Sequence, residues 1–340
     1  MTRLAVAFLL LMGTTLTGNL VYSQPVTIRL ETYAGPNHSM NSRAWPEWIK
    51  RVEQASGGEI KVQVTYPPVD PRLLYDRAID GIADIVWSSS NYSTGRFVLA
   101  EMADLPGLGG DAEQRSVAFW RTHDRFFAPF NEYRKVKLLT VWGHGPGMLH
   151  TRGEVKSLAD LKGMKLRMAG QIQSEITRLL GAVGVSAPVS KANEMLTQGV
   201  VDGVLFSIET ITSFKMGDVL KHHYHFPGGL YGSGFFSVMN QAKYDSLTPK
   251  QKQALTSVAG EPMAAWFGQT WDRADADSIA DLKKKGNTIS TVSGAMGAEV
   301  TKRLQPIEAA WIQKAKAEGL KDPAAALAFY RAEVRKLGGK

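Results

Sequence analysis

The chemistry of this sequence concentrates at Arg167, a permanent cation at the end of the apolar-alternating run Met164–Met168. The helix-like stretch Ile172–Gly181 follows directly. A cation placed where a strand meets a helix start is a natural carboxylate trap. No catalytic pair accompanies it. The chain has no Cys, no Ser sits in a Gly-x-Ser-x-Gly elbow, and Gly232-Ser233-Gly234 is only part of one. His222-His223-Tyr224-His225 has the residue types of a metal site. Adjacent His side chains point apart, however, and no fourth ligand is suitably spaced, so a solvent-facing cluster near a loop is expected. Asp272, Asp275 and Asp277 lie in a helical pattern without the Gly of a calcium loop and read as a solvated face. Gly107–Gly110 lacks the full dinucleotide fingerprint. Neither a metal nor a cofactor is expected.

The elements that must position Arg167 come in an α/β order. Val26–Thr32 and Glu59–Tyr66 alternate and read as strands, with Asn41–Ser56 helical between them. Arg72–Ile79 is a short helix, and Asp84–Trp87 is a short apolar strand suited to a buried parallel sheet. The second half repeats this order. Lys137–Trp142, Met164–Met168 and Asp202–Phe206 read as strands, Val185–Val189 as a short extended run, and Lys191–Gln198 as a helix. Gly81-Ile82-Ala83-Asp84 precedes one strand and Gly199-Val200-Val201-Asp202 another, suggesting two lobes of similar design. Parallel strands present ligands beyond their carboxyl ends. Those ends carry Trp87–Tyr92 in lobe one and Phe206 in lobe two, so facing lobes make a cleft. Ile208–Leu220 reads as a helix and Phe235–Met239 as a strand. Thr248-Pro249-Lys250-Gln251 is a capped helix start, and Pro262 kinks or divides the helical pattern that runs on to about Lys285. A helix from Pro262 to Lys285 would span roughly 36 Å and brace both lobes. The expected division is lobe one over 24–135, lobe two over 136–245, and C-terminal helices over 246–340.

Composition supports export and a globular fold. The 340 residues exceed what one core serves, and 44% hydrophobic with 21% charged is ordinary for a folded protein. Arg3, the apolar run Leu4–Met12 and the small-residue site Val21-Tyr22-Ser23 form a Sec-type signal peptide over 1–23, with Gln24 opening the mature chain. That run is too short to span a bilayer. A periplasmic location is expected. The net charge of +8 is spread thinly, which argues against a nucleic-acid partner and suits anionic ligands.

The stretch Ser157–Gly203 closely resembles the substrate-binding proteins of TRAP transporters, the DctP-type family. Ser157-Leu158-Ala159-Asp160-Leu161-Lys162-Gly163-Met164-Lys165-Leu166-Arg167 matches the first part of the family pattern. Glu194-Met195-Leu196-Thr197-Gln198-Gly199-Val200-Val201-Asp202-Gly203 matches the second. Looser resemblance runs from Val26 to about Gly286. It implies a two-lobed periplasmic-binding-protein-like α/β fold, closing on an organic acid whose carboxylate pairs with Arg167. It also implies delivery of this acid to TRAP permease membrane subunits. A monomer is expected.

Three departures from the family pattern bear on the cargo. Phe206 stands where many members carry an Asn that holds polar substrates. The loop Gly143–Met148 lacks an Arg found in relatives that bind sialic acid and dicarboxylates, and Tyr92 replaces another family Arg. The expected pocket thus has one strong cation, Arg167 beside Met168, with the rings Tyr33, Trp87, Tyr92, Phe206 and Tyr231, and His144 as a polar partner. A charge-assisted Arg bond contributes about 1.5–3 kcal/mol, whereas micromolar binding needs about 8 kcal/mol. Apolar burial and further hydrogen bonds must supply the rest. The expected ligand is a monocarboxylate with an aromatic or apolar body, or a small 2-oxo or 2-hydroxy acid. Glu209 is a weaker candidate for holding a cation that bridges to the ligand. The competing readings are an exported two-lobed enzyme acting on organic acids, and a sensor module presenting the same ligand to a membrane kinase.

Overall fold

The computed structural model describes residues 24–339, so the expected signal peptide at 1–23 lies outside the described residues. Eleven strands are present among them: Val26–Glu31 (β1), Ile60–Thr65 (β2), Ile85–Ser89 (β3), Val136–Gly143 (β4), Met148–Thr151 (β5), Lys165–Met168 (β6), Val183–Ser186 (β7), Gly203–Phe206 (β8), His222–His225 (β9), Gly234–Asn240 (β10) and Thr288–Thr291 (β11). They form a five-stranded sheet in the order β2-β1-β3-β10-β4 and a six-stranded sheet in the order β11-β9-β5-β8-β6-β7. Within the first sheet β1, β2 and β3 are parallel, and β10 runs antiparallel between β3 and β4. In the second, β8, β6 and β7 are parallel.

This membership corrects the lobe boundary drawn at residue 136. Both β4 and β10 belong to the first sheet, so the chain crosses between β4 and β5 and returns between β9 and β10. Every residue of β10 is buried, which makes it an interior strand of whichever sheet it joins. An apolar run of this kind does not disclose its partner strands. Strands β5, β9 and β11 are additions to the sequence reading, and so is the helix Ala112–Thr122. The helix expected over Ile208–Leu220 ends at Ser213.

The repeated Gly-x-x-Asp signature is one device used twice. Gly81 and Gly199 both take left-handed φ, at 70° and 71°. The Asp84 carboxylate accepts the Arg29 N–H of β1 at 2.7 Å, and the Asp202 carboxylate accepts the Lys165 N–H of β6 at 2.8 Å. Each Asp thereby pins the neighbouring parallel strand.

The bracing helix spans Glu261–Lys284, with Pro262 in its first turn after the left-handed Gly260. Pro262 thus divides the C-terminal pattern, and the preceding helix, Pro249–Ser257, carries the expected Thr248–Gln251 capping box. At 24 residues the long helix reaches about 36 Å. Its Met263, Phe267 and Trp271 join the core behind the first sheet, and Leu282 joins the core of the second lobe. Its acidic residues are not one solvated face. Asp272 accepts the N–H groups of Ala112 and Glu113 at 2.7 and 2.9 Å, capping the helix Ala112–Thr122. Asp275 accepts the Glu209 N–H at 3.0 Å. Of the three, only Asp277 is exposed, paired with Arg43. The other two carboxylates turn inward because helix N-termini present unpaired N–H groups there.

The His cluster is likewise corrected. Residues 222–225 form β9, whose His223 is wholly buried against His150 of β5. The His150 and His223 Nδ1 atoms are 2.8 Å apart, His150 Nε2 meets the Phe206 carbonyl at 3.1 Å, and His223 Nε2 meets Asn287 Nδ2 at 3.1 Å. One neutral arrangement satisfies all three contacts. Asn287 donates to His223, His223 Nδ1–H donates to His150 Nδ1, and His150 Nε2–H donates to the carbonyl. Burial, with the repulsion between the rings, holds His150 well below the usual imidazole range, and burial lowers His223 to about 4. A depressed imidazole pKa means the unfolded chain takes up protons first as pH falls. Stability is therefore full above about 6.5 and is lost between about 6.5 and 4. Burial raises Glu132 to about 7 and Asp272 to about 6, and these carboxylates act in the opposite sense across the same window. A mutant comparison isolates the His pair. His223→Gln should show a shallower fall in unfolding free energy than wild type between pH 6.5 and 4.5, measured by urea titration. Parallel curves would remove the pair from the pH response.

Candidate functional site

The cavity lies at the carboxyl ends of β3, β6 and β8, where the sequence reading places the cleft. Arg167 is the next-to-last residue of β6 at 1% exposure, and burial lowers its pKa, although a guanidinium stays charged. Its Nε and Nη2 donate to the Ala187 carbonyl at 2.9 and 2.6 Å, and Nη2 also reaches the Tyr92 hydroxyl at 3.4 Å. The Phe206 ring lies under the guanidinium, 4.2 Å from centroid to carbon. Among the described residues Arg167 has no carboxylate partner, and no Asp or Glu lines the cavity. A buried cation without an anion is costly, so the site is primed for an anionic ligand.

Six of the eight expected site residues line this cavity: Arg167, Phe206, Tyr92, His144, Tyr33 and Tyr231. Trp87 and Met168 do not. Trp87 is wholly buried behind Tyr33, ring centroids 4.7 Å apart, and its indole N–H donates to Thr32 Oγ1 at 2.8 Å. It shares a face of β3 with Ser89, which lines the cavity, but lies two residues further back along the strand, covered by the rings of Tyr33 and Phe235. Met168 follows Arg167 on β6 and so points to the opposite face, where it packs against Gly184.

Sequence reasoning missed His38, Asn91, Phe214, Phe235 and Trp271, all of which line the cavity. Trp271 stands four residues after Phe267 on the long helix, a spacing that carries no signal beyond ordinary core packing. His38 sits in a loop whose only sequence signal is Gly and Pro. The lining leaves ≈ 50 Å³ to the centre of a water-sized sphere, against ≈ 470 Å³ in a groove lined by Pro106, Phe226, Val292 and Leu304. That larger groove touches no strand end among those of β3, β6 and β8, and its cation, Arg331, is already paired with Glu308. Chemistry rather than size selects the smaller cavity.

Cross-lobe contacts hold the cavity closed. The Tyr92 hydroxyl accepts from both Arg167 and the Val189 N–H, the latter at 3.1 Å, which leaves its own proton for a third partner. Gly170 has φ +75°, and a Cβ there would stand 2.7 Å from that of Asn91, so only glycine lets the two lobes meet at this point. His38 Nδ1 accepts the Met40 N–H at 3.2 Å, so the proton is on Nε2, 3.4 Å from Glu209. Glu209 also accepts from the hydroxyls of Ser39, Thr210 and Ser213. It is a buried link between lobes, and it contributes nothing to the cavity lining that would hold a bridging cation. Burial lowers His144 to about 4, so its ring is neutral at pH 7. Its Nδ1 bonds the Gly145 carbonyl, which leaves Nε2 as an acceptor.

Tyr92→Phe removes one cross-lobe hydroxyl without changing ring packing. It should weaken ligand binding by about 0.5–1.5 kcal/mol, roughly two- to tenfold. Calorimetric titration tests this, and unchanged affinity would show that the hydroxyl plays no part in closure.

Two α/β lobes, a helix bracing both and a closed cavity around an unpaired cation define a two-lobed solute-binding protein. The chain belongs to the bacterial extracellular solute-binding proteins of family 7, whose sequence profile matches residues 30–314. Three solved TRAP solute-binding proteins are similar to it. One from Bordetella bronchiseptica, with bound (R)- and (S)-mandelate, is 31% identical with a TM-score of 0.89, over 92% of this chain and 100% of that one. One from Rhodoferax ferrireducens, with copurified benzoate, is 28% identical with a TM-score of 0.85, covering 92% and 98%. One from a marine metagenome, specific for aromatic acids and holding 3-hydroxybenzoate, is 32% identical with a TM-score of 0.86, covering 92% and 99%. The expected family and fold class are borne out.

Proposed function

We propose that this protein captures a monocarboxylate with an aromatic or apolar body in the periplasm and hands it to TRAP permease membrane subunits. The observation that carries the reading is the buried Arg167 guanidinium with no acidic partner among the described residues, enclosed by Tyr33, Tyr92, Phe206, Tyr231, Phe235 and Trp271. One cation sets one carboxylate. Six rings supply apolar area, each able to bury a ligand ring at about 25 cal/mol per Å². A second carboxylate would have no cation to meet. The mandelate, benzoate and 3-hydroxybenzoate of the similar structures are acids of this class, which supports the reading. The protein acts as a monomer and does no chemistry on its cargo. Arg167, Phe206, Tyr92, His144, Tyr33 and Tyr231 are the proposed contacts, with Trp87 setting the position of Tyr33.

A thermal-shift panel of aromatic, aliphatic and dicarboxylic acids tests this. An acid at 100 times its dissociation constant should stabilise the protein by about 2.7 kcal/mol. Strong hits among aromatic monocarboxylates are expected. Preference for dicarboxylates, or hits confined to sugars or amines, would overturn the reading. Turnover of the bound acid would favour the enzyme alternative instead.

A further inference from the structure

We infer that Asn91 reads a hydroxyl on the carbon next to the ligand carboxylate, making this a 2-hydroxy-acid site. The inference rests on the carboxylate reading of the cavity. Asn91 lies in the short turn Ser90–Tyr92 that follows β3, and it lines the cavity. Its Nδ2 donates to Ser233 Oγ at 3.2 Å, whereas its Oδ1 is buried and has no hydrogen-bond partner. A buried acceptor without a donor is destabilising, and native proteins leave few of them.

The position of Asn91 says which part of a ligand would satisfy it. Its Cβ abuts Gly170, three residues beyond Arg167, and the adjacent Tyr92 hydroxyl contacts Arg167 itself. The orphaned oxygen therefore stands at the cationic end of the cavity. A carboxylate held by Arg167 brings its own oxygens toward Oδ1, and two acceptors side by side repel. A hydroxyl on the neighbouring carbon resolves the conflict by donating its proton to Oδ1. A 2-oxo group has no proton to give. An ammonium in that place would be a second buried cation beside Arg167, with no carboxylate lining the cavity to balance it.

Three probes with the same ring and carboxylate separate these cases: mandelate, phenylacetate and phenylglyoxylate. They carry a hydroxyl, no substituent and an oxo group at the reporting carbon. Titration calorimetry on the wild-type protein should find mandelate bound roughly 5- to 100-fold more tightly than phenylacetate. Asn91→Leu should abolish that ratio while retaining phenylacetate binding. Asn91→Ala, checked by thermal melting, serves if the Leu variant does not fold. Equal binding of mandelate and phenylacetate by wild type would overturn the inference and leave the carboxylate reading standing. A preserved ratio in both Asn91 variants would overturn it too. Tightest binding of phenylglyoxylate would mean that the Asn91 amide presents Nδ2 to the cavity, which also overturns it. Failure of all three acids to bind would sink the carboxylate reading and the inference together.

Discussion

Arg167→Met should sharply weaken ligand binding while leaving the ligand-free protein at least as stable as wild type. The two halves of this expectation have one cause. In the ligand-free protein the guanidinium is 1% exposed, and it bonds one carbonyl and one hydroxyl. Removing an unpaired buried ion relieves a desolvation penalty of several kcal/mol. Against that, the Ala187 carbonyl loses its donor, at about 1–3 kcal/mol. Desolvation wins or the terms cancel, so the melting temperature without ligand should hold or rise. With ligand the sign reverses, because the variant leaves a buried carboxylate without its partner. Truncating one side of such a pair costs about 2–5 kcal/mol, roughly 30-fold to several thousand-fold in Kd. Calorimetry with the best acid from the panel, beside a melt of the unliganded protein, reads both. Retained affinity would remove Arg167 from the site. A large fall in unliganded stability would make it structural. Arg167→Lys should rescue binding only partly, since an ammonium is a point charge without the planar fork.

Arg115→Met should do the reverse, destabilising the fold by about 3–5 kcal/mol and affecting the ligand only indirectly. Arg115 is equally buried, at 2% exposure, and also has no acidic partner among the described residues. All three of its guanidinium nitrogens nevertheless donate to carbonyls. Nε bonds the carbonyls of Gly109 and Gly110 at 2.7 and 3.2 Å, Nη2 that of Gly228 at 2.9 Å, and Nη1 those of Gly145 and Tyr231 at 3.5 and 3.4 Å. Gly145 lies in the first crossing between sheets, and Gly228 and Tyr231 lie in the second. One cation thus fastens both crossings to the loop before the helix Ala112–Thr122. Chemical denaturation of Arg115→Met should show the midpoint lowered with its slope unchanged. A loss below about 1 kcal/mol would show that water replaces the guanidinium at these carbonyls. Two buried arginines with the same sequence character therefore have opposite tasks, and the difference is how many carbonyls the backbone turns toward each.

That contrast marks the limit of what one-dimensional pattern conveys. Local pattern was enough for the α/β order, the Gly-x-x-Asp device at Asp84 and Asp202, the Thr248 capping box and the helix start at Pro262, because each depends on residues a few positions apart. It was enough to put Arg167 and Phe206 on the cavity lining too, since both lie at or beside strand ends, where parallel sheets open toward ligands. Placing β4 and β10 with the first sheet took the folded chain, because strand pairing is a contact between residues far apart in sequence. Strand alternation turns Met168 away from the cavity, whereas Trp87 is kept from it by the Tyr33 ring packed over it. Packing buried His223 against His150 and turned Asp272 onto a distant helix start, which made internal partners of groups that read as solvated. It also brought His38, Asn91 and Trp271 to one cavity from a loop, a turn and the bracing helix. Residues without a shared local pattern meet there because two crossings and one long helix close the lobes on Arg167.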